Sequence, residues 1–303
     1  MKPWQFGRPK GPGFGISAHF YLTIVSPSST LPTPAEIVNP TAIAGAVEGF
    51  CVPLSSSDKS LLTTPIRRGA FAVASPDRKT VLKLLTLPKE ESGFNPELFA
   101  QSDLASMSSP EVVARVRGTW FVLQLAFESH DARVYPAVRF FLRVAKRIGE
   151  LTDGVVADPI SQRYTLPEDV LFDGTTDFQL DVRDVATVRF RHRSDGLHCF
   201  TLGMQKFSLP ELEVYGCDQE VEPLAVRLLL GACQSALRGK PLREGGRIGA
   251  PSMPLEVRPG GLDPTLWKDV ACFELLPPTQ HTVSEALIAW AQGVDAQDNG
   301  SFA

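Results

Sequence analysis

The sequence predicts an α+β protein of two sheet-and-helix halves, the second in the order strand, helix, strand, hairpin, helix, strand, with its helices packed on one face. Three observations lead there. The chain has 303 residues, near the upper size at which a single core stays efficient, so two halves are expected. Hydrophobic residues make up 43% and charged residues 21%, ordinary values that supply a real core and argue against a disordered chain. Apolar runs of strand character alternate with runs of helical period, most clearly beyond residue 111.

Element by element, residues 1–15 (MKPWQFGRPKGPGFG) are rich in Gly and Pro and read as a flexible arm. Gly11, Gly13 and Gly15 precede a strand, whereas a dinucleotide loop must follow one and open a helix, so they are no nucleotide signature. A small half spans 16–87: a strand at Ala18 to Val25, a weak helix from Ala35 to Gly49, and two strands around the Ser-Pro-Asp turn of GAFAVASPDRKTVLKLLTL. Residues 88–110 are polar and full of turn formers, hence a linker. The larger half covers 111–293 and opens with a buried strand, TWFVLQLAF. Asp131 is placed to cap the helix that follows, whose core face is Val134, Val138, Phe141, Ala145 and Ile148. Arg139, Arg143, Lys146 and Arg147 form its solvated basic face. Short strands at Val155 to Ala157 and Gln162 to Thr165 flank an Asp158-Pro159 turn. Val185 to His192 and Leu197 to Leu202 read as a hairpin turned at Asp195-Gly196. In SLPELE, Ser208 and Glu211 have the spacing of a capping box. Leu224 to Leu237 is a buried helix stopped by Gly239, and Gly245 to Gly249 a loop. Trp267 to Leu276 is a strand, and Thr282 with Glu285 caps a last helix. Residues 294–303 read as a disordered tail.

Net charge of −4 and a pI near 5.8 remove the global attraction for phosphate, which argues against nucleic acid as a partner. The five cysteines, Cys51, Cys199, Cys217, Cys233 and Cys272, form no C-x-x-C pair and suit free thiols in a reducing compartment. The N-terminus lacks the apolar core of a signal peptide, and no run approaches the roughly 18 apolar residues of a membrane span. A cytoplasmic protein is expected.

The hairpin tests the apparent His198-Cys199 dyad. A turn at Asp195-Gly196 sets Arg193 opposite His198 and His192 opposite Cys199. Val188, Phe190, His192, Leu197 and Cys199 then share one face, and Arg189, Arg191, Arg193, His198 and Phe200 the other. Neighbouring side chains in a strand point apart, so His198 and Cys199 cannot work as base and nucleophile. His192 with Cys199 offers two soft ligands where a structural zinc needs four, so no metal is expected, and no cofactor. Arg189, Arg191 and Arg193 set a row of cationic forks on one face, suited to carboxylate or phosphate, or to pairing with internal acids such as Asp181, Asp184, Glu211 or Glu213. Glu213 lacks an identified partner for base chemistry. Glu128, Ser129, His130 and Asp131 include the residue types of a hydrolase triad, but Ser129 lies in no G-x-S-x-G elbow and a capped strand-to-helix loop explains them equally. Gly245-Gly246-Arg247-Ile248-Gly249 lacks the Lys-Ser or Lys-Thr of a P-loop.

At FTLGMQKFSLPELEV, with LTDGVVADPISQRYTLPED upstream, the chain resembles a group of uncharacterised bacterial proteins. They share a D-P-x-S turn after a helix and a T-x-G-M-x-x-F-x-x-P-E-L-E stretch. The resemblance covers only the second half, Thr119 to about Leu276, and departs at Ser208, where glycine is expected. It implies a cytosolic bacterial α+β protein and assigns no catalytic residue. The expectation is therefore a non-catalytic binding protein acting on a protein partner, by analogy with immunity or accessory factors. Its contact surface is Arg189, Arg191, Arg193 and His198. The alternative is a metal-independent hydrolase with a site near His198 and Glu213 or at Ser129, His130 and Asp131.

Overall fold

The computed structural model describes residues 15–38, 50–53, 59–170 and 180–300, and the chain divides into two compact units, Ala18–Asp184 and Val185–Ala303, the latter joined by Met1–Ser17. The α+β class holds, with one sheet per unit. Apart from Gly15, the arm expected over 1–15 lies outside the described residues. Ser17 donates its N–H to the Lys206 carbonyl at 2.8 Å, which ties this end to the second unit.

The first unit contains β1 (Tyr21–Ser26), α1 (Pro34–Ile37), β2 (Phe50–Pro53), β3 (Gly69–Ala74), β4 (Val81–Pro88), α2 (Lys89–Ser92), α3 (Pro96–Ala100), α4 (Asp103–Ser106), α5 (Pro110–Arg117), β5 (Phe121–Ser129), α6 (Val134–Thr152), β6 (Val155–Asp158) and β7 (Arg163–Thr165). Its sheet is antiparallel throughout, in the order β2-β3-β4-β5-β1-β6-β7. Leu22, Ile24, Leu82, Leu84, Leu123 and Leu125 are buried on one face, the face that meets α6. Val25, Val122 and Val155 on the other pack with Phe99, Ala105, Val112 and Val116 of α3 to α5. Helices therefore cover both faces, and the central strands are continuous apolar runs for that reason.

This corrects the expected division. Residues 88–110 are α2, α3, α4 and the cap of α5 within the first unit, and the boundary falls after Asp184. Two of the polar residues that suggest a linker, Asn95 and Ser109, are helix caps. Asn95 accepts the N–H groups of Glu97 and Leu98 at 3.0 and 3.3 Å, and Ser109 accepts that of Val112 at 3.3 Å. Phe99 and Ala105 are the buried return of those short helices.

The expected core face of α6 is buried in full, joined by Ala137, Phe140, Leu142 and Val144. Its basic face is half-buried rather than solvated, and Arg147 donates to the Glu36 carbonyl at 3.1 Å. Asp131 does not cap the helix, because the cap position is Arg133 and Asp131 accepts from that residue's N–H and guanidinium instead. Of the helix expected over 35–49, Pro34–Ile37 forms, started by a Thr33/Glu36 capping box, and residues 39–49 lie outside the described ones.

The second unit contains β8 (Thr187–Arg193), β9 (Gly196–Leu202), β10 (Glu211–Cys217), α7 (Glu222–Leu237), β11 (Arg247–Ala250), β12 (Met253–Pro259), β13 (Cys272–Leu276) and α8 (Val283–Gly300). The sheet runs β11-β12-β13-β10-β9-β8, with β10 and β13 parallel. Helices α7 and α8 pack on one face, as the order of elements suggests for this part of the chain. Strand β8 is an edge. Thr282 and Glu285 form the expected capping box, at 2.9 and 3.1 Å.

Four local expectations change here. Glu211 opens β10 rather than a helix, and Ser208 ends a short 3-10 turn at φ 57, the left-handed region that favours glycine. Trp267 lies in the loop before β13, whose strand starts at Cys272. Arg247–Ala250 is a strand rather than loop. Helix α8 continues to Gly300, where a tail was expected from 294.

Candidate functional site

The site starts from the β8–β9 hairpin. Its two-residue corner is Ser194-Asp195, with Arg193 paired to Gly196, so Arg191 lies opposite His198 and Phe190 opposite Cys199. The expected pairs, Arg193 with His198 and His192 with Cys199, are not made, and the notional His192-Cys199 ligand pair goes with them. Gly196 explains the corner. It sits at φ 128, and a Cβ there would stand 2.9 Å from the Gly216 Cα and 3.0 Å from the Cys217 carbonyl oxygen, where β10 bulges against it. The change of pairing moves partners by two positions and so preserves the pleat. Arg191 and His198 share a face, and Cys199 points to the other, where its thiol meets that of Cys217.

On the His198 face, β10 supplies Glu213 and the 260–271 loop supplies Leu262, Asp263 and Trp267. The His198 Nε2 to Glu213 Oε2 distance is 2.8 Å, and both side chains have 0% exposure. The same oxygen accepts the Trp267 indole N–H at 2.8 Å, and Oε1 accepts the Leu262 N–H at 2.6 Å. Burial pushes the Glu213 carboxyl up, but the hydrogen bonds from His198, Leu262 and Trp267 outweigh it, and the group titrates below its ordinary value. A carboxylate only accepts, so in the neutral ring Nε2 carries the proton and Nδ1 the lone pair. Nδ1 is buried without a hydrogen-bond partner among the described residues. Phe200, Leu202, Cys272 and Trp267 form the apolar seal around the pair.

Outside that seal lie the arginines. Arg191 Nη1 reaches Asp263 Oδ2 at 2.7 Å and Arg193 Nη2 reaches the same oxygen at 3.9 Å, while both guanidinium groups remain substantially exposed. Asp263 Oδ1 accepts the N–H groups of Thr265 and Leu266 at 3.0 and 3.3 Å. Those two bonds, Leu266 first, and the facing arginines hold its carboxyl below the ordinary value. The Arg191 guanidinium also lies over the Phe200 ring, 5.5 Å from its centroid. Arg189 is half-buried. The pairing anticipated for these arginines thus occurs, but with Asp263 rather than with the nearer acids in sequence. His198 belongs beneath this surface rather than to it, which corrects its place in the expected contact set.

Glu211 is a second buried carboxylate, accepting from the Thr201 hydroxyl at 2.7 Å and the Gly203 and Gln205 N–H groups at 2.8 and 3.1 Å. Burial dominates there and raises its pKa. Its role is to fasten the turn between β9 and β10.

The Ser129, His130 and Asp131 loop does not assemble a triad. Ser129 and His130 are exposed, no hydrogen bond links the three, and the Arg133 side chain bound to Asp131 pulls that carboxyl down to about 2. In the first unit a small, largely apolar cavity carries Lys146, Asp158, Arg163 and Asp184 in its lining, with Arg163 donating to the Asp184 carbonyl at 2.6 Å. Among the described residues, no group of three or more His, Cys, Asp or Glu is placed to hold a metal ion, and no helix is long and apolar enough to cross a membrane.

No protein-family model, curated protein or solved structure matches the chain. Leu262, Asp263 and Trp267 are the site residues that the sequence reading missed. GGLDPTLW carries an evident turn signal at Asp263-Pro264, but nothing local says which strand face that turn will cover.

Proposed function

We propose that the protein is a non-catalytic binding protein that engages an acidic surface of a protein partner through Arg191 and Arg193, with Arg189 beside them. The observation that carries this reading is the convergence of two exposed guanidinium groups on one carboxylate oxygen, at 2.7 and 3.9 Å, which gathers positive charge where an anionic group can bind. The buried His198–Glu213 pair supports it from below, by fixing the strand face on which the arginines stand. Affinity capture with the wild-type protein and with the triple variant Arg189→Ala, Arg191→Ala, Arg193→Ala is the test. Partners recovered by the first should be lost by the second; recovery of the same partners by both removes the arginine surface from the account.

A second reading, a metal-independent hydrolase, rests on the same 2.8 Å His198–Glu213 contact, since a carboxylate orienting an imidazole leaves Nδ1 as the basic nitrogen. At 0% exposure that nitrogen meets no substrate in this arrangement. Hydrolysis of activated esters by the wild type is expected to match that of His198→Gln; a rate that falls by tenfold or more in the variant would favour the enzyme.

A further inference from the structure

The 260–271 loop crosses the His198 face as a strap with two fastenings. Inside, the Glu213 carboxylate holds it through the Leu262 N–H and the Trp267 indole. Outside, Asp263 presents Oδ2 to Arg191 and Arg193 while its Oδ1 ends the turn. The two oxygens of Asp263 therefore do separable work, one architectural and one electrostatic. Only Oδ2 occupies the arginine forks, and it does so with the chemistry the proposed partner would bring.

We propose that Asp263 is a built-in competitor. The strap holds a carboxylate in the Arg191/Arg193 forks, and an acidic peptide segment of the partner binds by displacing it. This rests on the arginine surface being the contact site, and it adds the chemistry of the ligand and the contact that restrains its binding. The pair is partly exposed, with Arg191 at 48% and Asp263 at 16%, so exchange of one carboxylate for another requires no opening of the sealed His198–Glu213 pair. The inner fastening keeps the strap seated while the outer one changes partner.

The experiment measures binding of a poly-glutamate peptide at low ionic strength to the wild type, to Asp263→Asn and to Arg191→Gln/Arg193→Gln. Asparagine keeps an Oδ1 acceptor for the turn and replaces the charged Oδ2 with an NH2 group that offers the arginines no acceptor. Asp263→Asn should bind about fivefold more tightly, the upper range for one exposed ion pair, and the double arginine variant should lose binding. Hydrogen exchange at the Leu262 amide, unchanged in Asp263→Asn, shows that the strap stays seated. If the arginine variant loses binding but Asp263→Asn binds no better than wild type, competition is overturned and the arginine surface stands. If the wild type and Asp263→Asn both fail to bind, or the arginine variant binds equally well, the surface itself is refuted. Faster exchange at Leu262 would show Asp263 to be a structural clamp and would also overturn the proposal.

Discussion

Replacing Glu213 with glutamine is expected to lower the unfolding free energy by about 3 kcal/mol, read from the urea midpoint by far-UV circular dichroism. One carboxylate satisfies three donors at a position with no exposure, from His198, Leu262 and Trp267. An amide can accept from one or two of them but must also find acceptors for its own N–H groups, so at least one buried donor is left unpaired. The pH dependence gives the sign independently. Glu213 has a lower pKa folded than its ordinary 4.5, so the unfolded chain binds its proton more tightly. The stability it contributes is present above 4.5 and is lost as pH falls through the folded value. The gap between wild type and Glu213→Gln should therefore be widest near neutrality and close on acidification. Glu211, whose folded pKa is raised, contributes in the opposite sense and is common to both proteins. A gap that stays constant with pH would show that the charge of Glu213 is not what holds the strap.

Gly203→Ala is expected to cost about 3 kcal/mol or more, enough to compromise accumulation of folded protein. Gly203 adopts φ 129, outside the range of residues with a side chain, and a Cβ there would lie 2.2 Å from the Val185 carbonyl oxygen and 2.8 Å from the Ala186 Cα. Those are backbone atoms, which cannot turn aside as a flexible side chain can. Its N–H is one of the donors to the buried Glu211 carboxylate at 2.8 Å, so a displaced turn also loosens that anchor. Circular dichroism melts of the two proteins decide the matter: equal midpoints would mean that the β8 entrance and the β9–β10 turn shift without cost.

These two residues mark how far the sequence can be read. Glu211 and Glu213 both stand out in SLPELEV, yet the capping-box spacing of Ser208 and Glu211 points to a helix where β10 forms. Pairing with β9 and β13 on both sides decided that segment, and pairing partners are distant in sequence. The polar run 88–110 shows the same limit. Caps of short helices and a linker use the same residues, and only the burial of Phe99 and Ala105 against β1, β5 and β6 separates them.

The sequence by itself determined what local chemistry can encode. It placed β3, β4, β5, α6, α7 and the hairpin, gave the buried stripe of α6, and separated His198 from Cys199 on opposite sides of a strand. The tertiary structure alone decided that β5, α6, β6 and β7 belong to the first unit, that His198 faces Glu213, and that Asp263 holds Arg191 and Arg193. Alternation and helical period are properties of neighbours along the chain, whereas the His198–Glu213 and Arg191–Asp263 contacts join residues 15 and 72 positions apart, and the pairings of β1 with β5 and β6 join residues farther apart still. Their free energy depends on which surfaces are left to bury once every element has formed.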